Sequence, residues 1–173
     1  MDKEKAVERV VSLAREYHRA KHNCAESVLK AVLMSGLVEN FPPEVSAMAT
    51  GFGGGIGSSG NNCGALIGAV MAAGMKFGRI STEKSINSSG IVELRSNPGI
   101  YRVFNQIPYY FKKEFGSTNC RDLVGEFDDF SSEERSRKCA GIIEKTARFV
   151  AEIILMGDDA YKCPFYENVA EKK

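Results

Sequence analysis

Apolar residues at the start of the chain recur at helical intervals. Val7, Val10, Val11 and Ala14 follow an i, i+3, i+4, i+7 spacing, which predicts an amphipathic helix from Asp2 to about Ala20. In NCAESVLKAVLMSG, Asn23 restarts a helix and Gly36 is placed to end it, because glycine takes the left-handed C-cap conformation without a side-chain penalty. Pro42-Pro43 then interrupts the pattern. Pro43 can open a short helix, PEVSAMATG, at a position where its missing N–H does no harm. Seven glycines fall from Gly51 to Gly64, and a helix of small residues is predicted from about Asn62 to Gly78.

From Ser81 to Gly99 the chain turns Ser-, Asn- and Gly-rich and reads as loop, with a helical turn or two around Ile91 to Leu94. A further helix is predicted from about Tyr101 to Phe115, kinked or restarted at Pro108. GSTNCRDLVG reads as a turn and a short helix. SSEERSRKCAGIIEKTARFVAEIILMG opens with a capping box, Ser131 with Glu134, and runs as a helix to Gly157. No stretch alternates convincingly at a β period, and there is no internal repeat or interdomain linker. The expected fold is all-α: a single compact multi-helix domain over residues 1–173, with a glycine-rich loop leading into the small-residue helix.

Composition narrows the function classes more than it changes the fold. A chain of 173 residues can bury a core without metal or disulfide staples. With 23 basic and 22 acidic side chains, the net charge of +1 gives no reason to expect nucleic acid or an anionic membrane as partner. The first residues are charged throughout, unlike a signal peptide. The most apolar run, Gly64 to Gly74, is about half of what a membrane helix needs. No membrane insertion and a cytoplasmic location are therefore expected. In such a reducing compartment, five cysteines point to reactive, metal-binding or simply buried thiols rather than structural disulfides.

The stretch GIGSSG, Gly55 to Gly60, spells a dinucleotide fingerprint. That fingerprint needs a buried strand before it and an acidic residue at the end of a second strand about 20 positions on. PEVSAMAT has the composition of a helix, and Glu83 lies in a Ser/Thr/Lys loop. No Gly-Lys-Ser/Thr follows either. No nucleotide is expected.

The cysteines form a more coherent pattern. Asn23-Cys24, Asn62-Cys63 and Asn119-Cys120 are one dipeptide at three predicted helix starts. Asparagine is a favoured N-cap, which would put each cysteine at the first helical position, where the helix dipole favours a thiolate. Cys139 lies instead in the second turn of its helix among Arg135, Arg137 and Lys138, cations that would also favour its thiolate. Gly64 and Gly68 clear side chains from around Cys63, and the glycines before them leave N–H groups free to face a thiolate or a bound cofactor. Close helix packing is the alternative account of the same small residues. His18 and His22 stand i, i+4 just before Cys24, a spacing for metal chelation, for a base, or for two exposed polar residues.

These residues together resemble the C_GCAxxG_C_C family, a set of proteins named for proposed redox activity and four cysteines. Cys63-Gly64-Ala65-Leu66-Ile67-Gly68 is the motif as it stands here, and Cys24, Cys120 and Cys139 match the flanking cysteines in order. The resemblance covers about Tyr17 to Leu155. It implies a small, mainly helical bacterial or archaeal protein with four functional cysteines, often encoded near transporters. Relatives attached to haem-bearing segments associate the cysteines with an iron–sulfur cluster. This chain has no C-x-x-C-H, and Cys163 falls outside the family pattern.

Three readings follow. In the first, Cys24, Cys63, Cys120 and Cys139 converge as a thiol/disulfide or electron-transfer centre, with Cys63 the expected nucleophile. In the second, the same four cysteines ligate a [2Fe–2S] cluster or zinc. In the third, the protein is a helical interaction module with cysteines as core. The partners to expect are a redox partner protein or a transporter-associated protein, with a homodimer as a further option.

Overall fold

Six α-helices and two 3-10 helices build the described residues, 2–86 and 89–169, of a computed structural model. Among them there is no strand, only two isolated bridges, Asn62 with Asn119 and Arg79 with Ser85. The first helix, α1 (Lys3–Arg19), buries Ala6, Val7, Val10, Val11 and Ala14, the face its periodicity marks. Each buried valine there contributes about 1.5–3 kcal/mol by leaving water. Helix α2 (Cys24–Ser35) starts at a full capping box. Asn23 Oδ1 accepts from the Ala25 and Glu26 N–H groups at 2.9 and 3.0 Å, and the Glu26 carboxylate accepts from the Asn23 N–H at 2.9 Å. Gly36 ends the helix at φ 86°.

Pro43 opens a helix as its sequence predicts, but Pro43–Phe52 winds as a 3-10 helix. The glycine loop leads from it into α3 (Gly64–Phe77), a helix buried on nearly every side: Gly64, Ala65, Leu66, Gly68, Ala69, Ala72, Ala73, Met75 and Phe77. Helix α2 lies between α1 and α3. The remaining long helices, α4 (Ile100–Phe115) and α6 (Glu133–Leu155), both pack on α3, and α6 closes the bundle against α1 and α2. Ion pairs Arg15–Glu144, at 2.7 Å, and Arg148–Glu8 lace α1 to α6 at the surface. A short helix, α5 (Cys120–Val124), and a second 3-10 helix, Gly157–Lys162, complete the set. In the latter, Tyr161 is fully buried, its ring edge-on to Phe77 with centroids 5.5 Å apart.

Three local expectations differ from what is found. Pro108 does not restart α4, which runs as one element; its buried stripe of Ile100, Val103, Ile107 and Phe111 spans both sides of the proline, so packing outweighs one lost backbone bond. The cap of α6 is Ser132, whose hydroxyl accepts from the Arg135 N–H, rather than Ser131. The Asp129 carboxylate already takes the Ser131 N–H at 2.7 Å, holding that residue outside the helix. Ile91 to Leu94 form no helical turn; Ile91 and Leu94 simply pack on the core. Residues 87 and 88 of the expected Ser81–Gly99 loop lie outside the described residues. No described helix is long and apolar enough to cross a membrane.

Candidate functional site

The glycine loop is a coil of left-handed turns. Gly54, Gly55, Gly57 and Gly60 have φ between 59 and 79°, and Ile56 and Ser58 share that region at 64°. From Ile56 onward its N–H groups do not stay free, as the sequence suggests. Those of Ile56, Gly57, Ser58, Gly60 and Asn61 bond the carbonyls of Phe52, Gly51, Gly53, Gly54 and Gly55. The loop closes on itself and so can hold its shape without a ligand. Gly55 is required where it is: a Cβ there would stand 2.5 Å from the Asn61 carbonyl oxygen and 2.7 Å from the Cys120 Cβ.

Beyond the loop, Asn62 pairs with Asn119 in a bridge, and the Cys63 and Cys120 N–H groups donate to Thr118 and Asn61 carbonyls, each at 2.7 Å. This stitch brings the starts of α3 and α5 side by side. It also overturns one expected cap. Asn62 is held in the bridge, so Cys63 itself takes the N-cap position of α3, and the helix starts one residue later than predicted. Cys24 and Cys120 do occupy first helical positions, Cys24 under the Asn23 cap and Cys120 after an Asn119 that makes no cap bond.

The four cysteines line one pocket, together with Gly54, Arg135 and an apolar wall that includes Leu123 and Ile142. All are free thiols. Cys63, Cys120 and Cys139 are only 6, 8 and 7 % exposed, and Cys24 is partly exposed. Sequence reading misses the walls, although their signal is present. Leu123 and Val124 follow Cys120 by three and four residues, Ile142 and Ile143 follow Cys139 likewise, and Arg135 precedes it by four. Each set shares a helical face.

The electrostatics reverse the expected order among the thiols. Burial dominates at Cys63 and pushes its thiol up to about 11. The Ala65 and Leu66 N–H groups oppose this, at a geometry too open for cap hydrogen bonds. Burial also raises Cys120. Cys139 alone is lowered, to about 7. The donor Cys24 thiol beside it is the largest cause, and the Arg135 guanidinium, 3.8 Å from its sulfur, and Lys138 add to it against burial. Cys24 is correspondingly raised well above the ordinary thiol range, first by Cys139 and then by burial.

Gly64 and Gly68, read from sequence as a clearing around the thiol or a cofactor contact, face protein instead. A Cβ on Gly64 would lie 2.7 Å from the Phe52 carbonyl oxygen, and one on Gly68 would lie 2.5 Å from that of Ala25. They let α3 approach α2 and the first 3-10 helix, which is how Cys24 and Cys63 come to share a pocket. His22 Nε2 lies 3.0 Å from the Lys30 ammonium, and burial, then Arg135 and Lys21, hold His18 below its usual value. Cys163 lies outside the pocket, its carbonyl accepting from Arg102 at 2.9 Å. Four thiolates are donors that zinc or an iron–sulfur cluster takes. Yet among the described residues no three Cys, His, Asp or Glu side chains are grouped to hold a metal ion, so the arrangement found does not fit such a group.

A family model described as "Putative redox-active protein (C_GCAxxG_C_C)" matches residues 22–153, and the chain belongs to that family. No curated protein and no solved structure matches the chain.

Proposed function

We propose that this member of the C_GCAxxG_C_C family is a dithiol–disulfide redox protein whose working pair is Cys139 and Cys24. The observation that carries the reading is the pocket itself: Cys24 and Cys139 line it as free thiols beside the Arg135 guanidinium, 3.8 Å from the Cys139 sulfur, and the Cys139 thiol is lowered to about 7 while that of Cys24 is raised. A thiolate is the nucleophile of disulfide chemistry, and an attacking thiol works best with a value near the ambient pH. Cys139 meets that condition. Cys63, the nucleophile expected from sequence, carries a thiol that ionises only near 11.

In this reading Cys139 gives up its electrons first and Cys24 completes the disulfide. The pair together releases two electrons and two protons. Resetting it needs the same two electrons from a thiol reductant, whose thiolate attacks the sulfur of Cys24, the residue of the pair that is partly exposed. A partner protein carrying such a thiol, in the reducing cytoplasm, is the donor we assign. Cys63 and Cys120 serve as buried walls that keep water from the pair. The convergence of all four cysteines on one pocket weighs against a purely structural interaction module, which needs no such meeting of thiols.

The test is a redox titration of the purified protein in dithiothreitol buffers, counting free thiols by alkylation and mass spectrometry. One thiol pair should be lost and regained reversibly, and both Cys24→Ser and Cys139→Ser should abolish that step. Retention of the step in either variant would remove that residue from the pair.

A further inference from the structure

Two features of the pocket are unused by the dithiol reading. The first is its size. The space open to the centre of a water-sized molecule is about 20 Å³, whereas about 10–15 Å³ suffices for one water. A ligand of one or two heavy atoms fits. A disulfide cannot bring its sulfur in line with Cys139, because each sulfur carries a methylene and a chain behind it. Cys139 is itself 7 % exposed, so whatever oxidises it must enter this space.

The second feature is Arg135. Among the described residues it is the only charged one lining the pocket, and its Nη1 lies 3.8 Å from the Cys139 sulfur. Its guanidinium sits over the Phe130 ring, 4.0 Å from the centroid, which fixes its plane. Among the described residues it pairs with no carboxylate, and its Nε is buried without an acceptor. Buried donors are nearly always satisfied, so one left open beside a nucleophilic sulfur invites an acceptor that arrives during the reaction. The remaining lining is thiol and apolar, with nothing to anchor a large polar substrate.

We propose that the oxidant of the Cys24–Cys139 pair is a small hydroperoxide, hydrogen peroxide itself, with Arg135 stabilising the leaving oxygen. The proposal rests on the dithiol reading above. The Cys139 thiolate attacks one peroxide oxygen, a sulfur–oxygen bond forms and the oxygen–oxygen bond breaks. Hydroxide leaves against the guanidinium and takes a proton from solvent to become water. Cys139 is then a sulfenic acid. The Cys24 sulfur attacks the Cys139 sulfur, the sulfur–oxygen bond breaks, and the departing hydroxide carries off the Cys24 proton as a second water. Both thiols are oxidised, the peroxide is reduced to two waters, and a dithiol such as dithiothreitol resets the pair.

The experiment mixes fully reduced protein with hydrogen peroxide, tert-butyl hydroperoxide or glutathione disulfide and follows the Cys24–Cys139 disulfide by quenched alkylation and mass spectrometry. Hydrogen peroxide should react roughly a hundredfold faster than the tert-butyl compound, because displacement of a reactant by an ångström costs about that much. Arg135→Gln, checked for native circular dichroism, should slow the hydrogen peroxide reaction by about a hundredfold, the scale of one oriented donor on a leaving oxyanion. Comparable rates for the two peroxides in the unmodified protein, or a faster reaction with glutathione disulfide, would overturn the proposal without any variant. Hypochlorous acid, a thiol oxidant that also has only two heavy atoms, separates the two claims on the unmodified protein. If hypochlorous acid forms the disulfide while hydrogen peroxide does not, the dithiol reading stands and the peroxide is wrong. If hypochlorous acid fails too, both fall.

Discussion

Cys63 and Cys139 line one pocket, almost equally buried, and differ in what surrounds the sulfur. Cys63 holds the N-cap of α3, where the helix dipole and two nearby N–H groups favour the anion. Cys139 lies in the second turn of its own helix, α6, with Cys24, Arg135 and Lys138 around its sulfur. Burial raises both. It wins at Cys63 and loses at Cys139. A helix terminus contributes about 0.3–1 kcal/mol to an anion at an exposed site, and one thiol burial outweighs it. A donor thiol and two cations do not yield so easily.

The comparison is sharpest in reactivity against pH. At pH 7, thiols ionising near 7 and near 11 differ several-thousandfold in thiolate content, and the weaker nucleophilicity of the more acidic one offsets this to roughly a hundredfold. Ultraviolet titration of thiolate absorbance brings no reagent into the pocket and should therefore show a step near pH 7 that Cys139→Ser removes, while the Cys63 step lies near pH 11. A single midpoint shared by the two would erase the distinction. Stability follows with opposite signs at the two sites. The Cys139 contribution is present above the ordinary thiol range and is lost as pH falls through about 7. That of Cys63 is present below the ordinary range and is lost as pH rises through about 11.

Removing the causes one at a time should move Cys139 in a defined order. Cys24→Ala, which deletes the largest single influence, and Arg135→Gln, which deletes two, should each raise its titration midpoint, and Lys138→Gln should raise it least. An unchanged midpoint in Cys24→Ala would mean that the cations, not the neighbouring thiol, set its acidity.

Smaller effects test how the two sides are brought together. Gly68→Ala places a Cβ 2.5 Å from the Ala25 carbonyl oxygen. Parting α2 from α3 should cost about 1–3 kcal/mol, read as a fall of several degrees in Tm. An unchanged Tm would show that the helices are not in that contact. Asn23→Ala removes the cap of α2 and should cost about 1 kcal/mol in thermal or denaturant unfolding.

Helices and their ends were readable where the signal is local. The stripe of α1, the Asn23 cap and Gly36 all act within a turn of themselves, and the structure keeps them. The motif around Cys63 was enough to place the family. What distance hides is different. Nothing near Asn62 announces that Asn119, far along the chain, will claim its backbone and hand the cap position to Cys63. Nor does a sequence state how deeply a thiol is buried, the quantity that reverses the expected ranking of the cysteines. Gly64 and Gly68 were visible as small residues, but whether their space belongs to a ligand or to Ala25 and Phe52 depends on where α2 and the first 3-10 helix lie. Arg135 was visible beside Cys139; its lack of a carboxylate partner was not.

The central claim is that one specific pair among the four cysteines carries the redox chemistry. The most direct measurement oxidises the folded, fully reduced protein with one equivalent of hypochlorous acid, alkylates the remaining thiols after unfolding and maps the cross-linked peptides by mass spectrometry. The account predicts a Cys24–Cys139 disulfide, with Cys63, Cys120 and Cys163 recovered as alkylated thiols. A disulfide joining Cys63 to Cys120, or a mixture with no preferred pair, would contradict it.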